Sequence, residues 1–180
     1  MKVLGISGTV VGSKTPVIVQ SVLDEIKSND QSVNIDLLNL KDYDVKFCDG
    51  RDPMTYTGDT KIVIQKITEA DCYIIGTPVF QGSIPGALKN LFDLLPLSAL
   101  RHKVVGYIAT GGSYQHYSAV ENQLRPILSY FRAYVAPGYT YVHSNHFNEK
   151  NEINSPEITG RISSLAKEIL FLQKAIERGG

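Results

Sequence analysis

The 180-residue chain has no excess charge of either sign, since 18 Lys and Arg balance 18 Asp and Glu. Nor do like charges form a block. A field strong enough to gather a nucleic acid, a membrane surface or the docking partner of an acidic electron shuttle is therefore missing. Cysteine is scarce: Cys48 and Cys72 are far apart and show no CxxC spacing, so neither a metal site nor a disulfide frame is expected. Cys72 opens an apolar run and reads as a small core residue, whereas Cys48 has no evident activating neighbour. No apolar run approaches the roughly 20 residues of a membrane span. The opening MKVLGISG is too short and too broken by glycine for a signal peptide, so a cytoplasmic location is expected. Internal repeats and low-complexity tracts are also missing, and the length suits one domain spanning residues 1–180.

What is present is a β-α alternation repeated five times. Strands are expected at Lys2 to Ser7, Asn34 to Asn39, Cys72 to Pro78, Lys103 to Thr110 and about Tyr134 to Val142. The first, third and fourth are nearly continuous apolar runs, as parallel strands covered on both faces require. Between them, Pro16 to Ser28 sets Val19, Val22, Leu23 and Ile26 on one helical stripe, and Thr60 to Ala70 does the same with Ile62, Val63 and Ile67. Further helices are expected from about Pro85 to Leu95, from Tyr117 to Phe131 with a kink or restart at Pro126, and from Ser155-Pro156 to the C-terminus. Such alternation with right-handed crossovers gives a doubly wound α/β sheet with helices on both faces. Five strands fit the flavodoxin-like order 2-1-3-4-5. A ligand then belongs beyond the carboxyl ends of strands one, three and four, at the loops Ser7 to Thr15, Thr77 to Pro85 and Thr110 to Tyr117.

The first loop, SGTVVGSKT, leads into a helix whose N-cap and first residue are expected to be Thr15 and Pro16. Free N–H groups and the helix dipole there attract an anion, and hydroxyls with one lysine suit a single phosphate monoester. The loop is not a Walker A motif, because Ser13 stands where its glycine would be, and no later strand ends in an aspartate suited to magnesium. A phosphate-loop hydrolase is thus disfavoured. The glycine intervals also fail the dinucleotide fingerprint, which argues against a tightly held pyrophosphate. In the second loop, Phe80 offers an aromatic face, while Gly82, Ser83 and Gly86 permit tight turns; in the third, Gly111-Gly112 suggests close backbone approach to a ligand. Together they form a slot with a phosphate end and a flat-ring end, of the size and shape of flavin mononucleotide (FMN).

The segments SGTVVGSKT, GTPVFQGSIPGALKNLFDLLP and ATGGSYQHYSAVENQLRPIL, in this order and spacing, resemble the NAD(P)H-dependent FMN reductase family, especially the branch paired with sulfonate monooxygenases. The likeness runs from Lys2 to about Leu128. It implies that Ser7, Ser13 and Thr15 hold the FMN phosphate, with Thr9 and Lys14 in the same loop. It further implies that Pro78, Val79, Phe80, Gly82 and Ser83 line the isoalloxazine, and that Gly111, Gly112 and Ser113, following Thr110, meet its other edge. The chain departs from the family where Phe80 replaces the common tyrosine and Lys14 the usual arginine, a point charge in place of a bidentate fork.

The resemblance implies hydride transfer from NADPH or NADH to the flavin N5, with reduced flavin passed to a monooxygenase partner or a small acceptor. Main-chain N–H groups of Phe80 to Ser83 and Gly111 to Ser113 are candidates to stabilise the reduced ring, and no side chain stands out as catalytic. Alternatives are a quinone or azo reductase with tightly held flavin, and a non-catalytic FMN electron carrier or sensor. His116 is a minority candidate for ligand contact, and Arg125 for a subunit contact or the NADPH phosphate, being otherwise expected to be solvated or paired locally. His143 and His146 are expected at the surface with no metal role. The long connection Asp44 to Asp59 is expected to be functional or to pack on a partner, and the resemblance places it near a subunit interface in a homodimer or homotetramer.

Overall fold

Five parallel strands lie side by side in the order β2-β1-β3-β4-β5. The computed structural model describes residues 1–179. The strands are β1 (Lys2–Ser7), β2 (Asn34–Asn39), β3 (Cys72–Pro78), β4 (Val104–Gly111) and β5 (Tyr134–His143). The helices are α1 (Lys14–Asn29), α2 (Gly58–Glu69), α3 (Gly86–Leu94), α4 (Tyr117–Tyr130) and α5 (Pro156–Gly179). This is the flavodoxin-like arrangement that the strand-helix alternation predicts.

Strand residues alternate between two buried clusters, which explains why β1, β3 and β4 read as unbroken apolar runs. Leu4, Ile6, Tyr73, Ile75, Val105 and Tyr107 meet Val63 and Ile67 of α2, Leu88 and Leu91 of α3, and Leu124 of α4. Val3, Ile74, Val104 and Ile108 meet Ile18, Val19, Val22 and Ile26 of α1 and Ile162, Leu165 and Ile169 of α5. Each such aliphatic chain contributes about 1.5–3 kcal/mol relative to an exposed one. At Gly76 an added Cβ would run into Val19, so α1 comes close to β3 only because that strand residue has no side chain.

The α1 and α5 side also protects Cys72, whose thiol burial pushes up to about 12. Cys48 is half-buried, with its Sγ 3.2 Å from the Asp93 carbonyl. Thiol labelling of the native protein at pH 8 is therefore expected to spare Cys72, which should react only on denaturation.

Several local details differ from the sequence expectations. Helix α1 starts at Lys14 with Ser13 as its N-cap, so Thr15 and Pro16 lie inside the first turn. Pro16 still fits, because it lacks an N–H where the helix leaves that group unpaired. In α2 the buried stripe uses Thr60, Val63, Ile64 and Ile67, and Ile62 is exposed. Helix α4 continues through Pro126 without restarting. Pro126 and Asn122 both face solvent, so water can take the carbonyl that the proline leaves unbonded. Strand β5 bulges against β4, advancing from Val135 to Tyr139 while β4 advances from Val105 to Tyr107. Pro137 is tolerated in that irregular stretch because β5 is an edge strand.

Candidate functional site

The three loops meet at the carboxyl edge of β1, β3 and β4. The first is drawn against β3 by a Gly8 N–H to Gly76 carbonyl bond of 2.8 Å, and the second against β4 by a Val79 N–H to Thr110 carbonyl bond of 3.2 Å. Thr15 and Thr110 join the first loop to the third, their hydroxyls 3.3 Å apart and buried.

At the start of α1 the donors for an anion are present. Ser13 makes no side-chain cap bond, so its hydroxyl and the first-turn amides are not consumed by capping. Ser7 lies completely buried at the end of β1, and its Oγ has no hydrogen-bond partner among the described residues. A buried hydroxyl without a partner costs about 1–3 kcal/mol, so such an atom points to a group that binds there. Thr9 differs: its hydroxyl donates to the Val11 carbonyl at 3.0 Å and accepts from the Val11 N–H at 3.2 Å, which closes the loop on itself. Lys14 holds its ammonium 5.1 Å from the centre of the Phe147 ring, a cation–π contact that ties the first loop to the segment after β5.

The second loop is a tight turn. Phe80 and Ser83 exchange both backbone bonds, at 2.9 and 3.0 Å, around Gln81 and Gly82, which have φ of 46° and 76°. Two positive φ values match a type I′ turn, in which Gly82 is at ease and Gln81 is strained. The expectation that every amide from Phe80 to Ser83 is available is thereby narrowed. Phe80 and Ser83 N–H groups serve the turn, and Gln81 and Gly82 are left to present theirs. Phe80 keeps 39% of its surface exposed at the rim.

The third loop is held by β5, which sequence patterning did not suggest. The Tyr141 hydroxyl donates to the Ser113 carbonyl at 2.7 Å, and His143 Nε2 lies 3.0 Å from the Gly112 carbonyl. Burial raises the Tyr141 phenol above its ordinary value, so it remains a donor at neutral pH. The space where a Gly111 side chain would stand is filled by that phenol, so packing against Tyr141 requires glycine there. Around Gly112 a side chain would meet nothing within 4 Å. Ser113 also accepts the Gln115 N–H on its Oγ at 3.3 Å and starts the short turn Tyr114–His116.

His143 is a buried residue beneath this loop, contrary to the surface position expected of it. Its ring stacks on Tyr114 with centroids 4.5 Å apart and planes 13° from parallel. His146 lies 6.3 Å away, edge-on, with a buried Nδ1 that has no partner. Nothing in the Asn- and charge-rich sequence around these histidines signals burial, because their cover comes from a distant loop. His116 sits half-buried at the entry to α4, and Arg125 pairs with Glu121 at 3.2 Å on the helix face, as expected for a local ion pair.

The long Asp44–Asp59 connection is pinned rather than loose. Cys48 N–H reaches Asn90 Oδ1 at 2.8 Å, and Lys46 N–H reaches Thr60 at 2.9 Å. It nevertheless presents Phe47 and Met54 to solvent, 82% and 71% exposed.

Residues 1–148 match the family model for NADPH-dependent FMN reductases. An NAD(P)H-dependent FAD/FMN reductase of Geobacillus thermodenitrificans is 57% identical over 180 residues, which covers 100% of this chain and 97% of that protein. An NADH-dependent FMN reductase, SfnF, of Pseudomonas fluorescens is 34% identical over 93% of this chain and 89% of its own length. Among solved structures, an oxidoreductase from Corynebacterium diphtheriae superposes with a TM-score of 0.79 at 25% identity, covering 97% of each chain. An archaeal flavodoxin shares the fold with a TM-score of 0.67 at 13% identity, over 97% of this chain and 99% of its own.

Proposed function

Since the chain belongs to the NADPH-dependent FMN reductase family, a family of oxidoreductases, we propose that it reduces FMN with NAD(P)H in the slot formed by the three loops. The observation that carries this is the partnerless, buried Ser7 hydroxyl beside an uncapped helix start, with open backbone at Gly82 and Gly112 for a flat ring. These residues fit FMN. Ser7, Ser13 and Thr15 would hold its phosphate together with the first amides of α1. Pro78, Val79, Phe80, Gly82 and Ser83 would line one side of the ring, and Gly111, Gly112 and Ser113 its other edge.

When bound, FMN supplies the hydride acceptor for reduced nicotinamide. The protein's part is to place and polarise. The Gln81 and Gly82 amides stand outside the turn's own bonds and supply fixed dipoles with no reorganisation. Trans peptides point each N–H opposite to its carbonyl, so the bonds from β5 to the Gly112 and Ser113 carbonyls turn the Ser113 and Tyr114 N–H groups the other way. No acid-base side chain is required. Lys14, engaged with Phe147, contributes its charge from a distance, which favours exchangeable flavin passed to a partner enzyme or small acceptor.

The relatives differ in their nicotinamide donor, so both are compared in the test. Purified protein is expected to oxidise NADPH or NADH, followed by loss of their absorbance, only with FMN present and with saturation in FMN. A bound yellow chromophore without turnover would instead support an electron carrier or sensor.

We further propose that the chain acts as one cytoplasmic flavin-binding domain that assembles as a homodimer or homotetramer through the Asp44–Asp59 connection. The exposed Phe47 and Met54 support that face. Light scattering on Phe47→Ser is expected to show a smaller species than the native protein.

A further inference from the structure

We infer that His143 is a positioning residue for the flavin-edge loop, an inference that rests on the flavin assignment above. Its ring is held at both nitrogens and stacked on one face. The backbone N–H of Asn145 donates to Nδ1 at 3.1 Å, which requires the proton to sit on Nε2. Nε2–H then donates to the Gly112 carbonyl at 3.0 Å. Tyr114, in the same loop, covers one face of the ring at 4.5 Å. One imidazole therefore ties the end of β5 to the third loop and sets the tautomer that makes the tie.

What the tie does follows from peptide geometry. Gly112 itself has open space around it and the torsional freedom of glycine, so nothing local fixes the peptide that follows it. With its carbonyl held by His143, the attached Ser113 N–H is aimed away from β5. Tyr141 holds the next carbonyl in the same sense, alongside the His116 N–H at 3.2 Å. Two β5 side chains thus orient two successive amides toward the position where the ring edge would lie. His143 touches no reacting atom and acts only through the loop.

Two conservative replacements separate this role from general support. His143→Asn keeps an acceptor near the Nδ1 position, so it retains the cap on Asn145, but it is too short to reach Gly112. His143→Gln carries an N–H near the Nε2 position, so it retains the tie and loses the cap. The expected orders therefore cross. In the ligand-free protein, Asn should melt at or above Gln. In FMN titrations by flavin fluorescence, Gln should stay within about threefold of the native Kd, while Asn should weaken it about tenfold or more. KM for FMN should follow Kd, with kcat at saturating FMN changed less.

Asn binding FMN as the native protein does would overturn the inference, and so would both variants losing stability and affinity in the same order. If the native protein binds no FMN, the flavin assignment fails. The tie is then decided by backbone NMR order parameters of residues 112–114 in the ligand-free proteins, where only Asn should loosen the loop. Equal order in both variants would refute it.

Discussion

Ser7→Ala is expected to stabilise the ligand-free protein by about 1 kcal/mol while weakening FMN binding about ten- to a hundredfold, a pair of effects with opposite signs. Ser7 is completely buried, and its Oγ has no partner. Removing the oxygen relieves a desolvation cost that nothing in the ligand-free protein offsets, and the methyl that remains fits the same space. A phosphate, if held there, would instead lose a bond to a charged acceptor, which is stronger than a neutral one. Thermal melting without FMN and fluorescence titration with it check the two halves. A loss of stability without ligand would show that the hydroxyl was satisfied within the fold, and unchanged FMN affinity would remove Ser7 from the phosphate site.

Thr15→Val is the companion case, and its expected signs agree with each other. Valine keeps the shape of Thr15 but strands the buried Thr110 hydroxyl 3.3 Å away, so the ligand-free protein should lose about 1 kcal/mol. FMN affinity should fall as well. A fold-only role for these hydroxyls would leave both variants with unchanged affinity, whatever their stability.

The fold was legible, and so was the grouping of hydroxyls in the loop proposed to hold phosphate, because both signals are local. Apolar runs such as KVLGIS and CYIIGTP fix strands buried on both faces, and the hydroxyls of SGTVVGSKT share one short loop. Less legible were features that depend on distant partners. The offset start of α1 moved Thr15 from the cap to the first turn, where its hydroxyl finds Thr110, 95 residues away. In the same way, Gly82 signals a tight turn, but only the Phe80–Ser83 bonds define which two amides that turn consumes. His143 and His146 looked like surface histidines because the surrounding sequence is polar. His143 is instead buried against Tyr114 of the third loop, a distant contact that leaves no periodic trace.

Gly111 shows how closely that hidden β5 contribution is coupled to the site. A Cβ at this position would overlap the Tyr141 hydroxyl and come within 2.8 Å of the ring carbon that bears it. Gly111→Ala must therefore displace the phenol, with an overpacking cost of about 1–3 kcal/mol. It must also break the 2.7 Å bond to the Ser113 carbonyl, which contributes about 1 kcal/mol. The same displacement leaves the Ser113 carbonyl with only the His116 N–H at 3.2 Å and loosens the Ser113–Tyr114 peptide, so FMN affinity is expected to fall about tenfold or more. Tyr141→Phe alone loses only the bond and should cost less on both counts. Combining the two removes the atom that clashes most while leaving the ring carbon, so adding Tyr141→Phe should restore part of the stability lost in Gly111→Ala. A double-mutant cycle read by melting should give a favourable coupling of about 0.5–3 kcal/mol. FMN affinity should not recover with it, because the double variant still lacks the phenolic donor and leaves the Ser113 carbonyl to the His116 N–H alone. Additive stabilities would mean that Gly111 is small for another reason. Recovered affinity would mean that the ring packing of Tyr141, and not its hydroxyl, sets the loop.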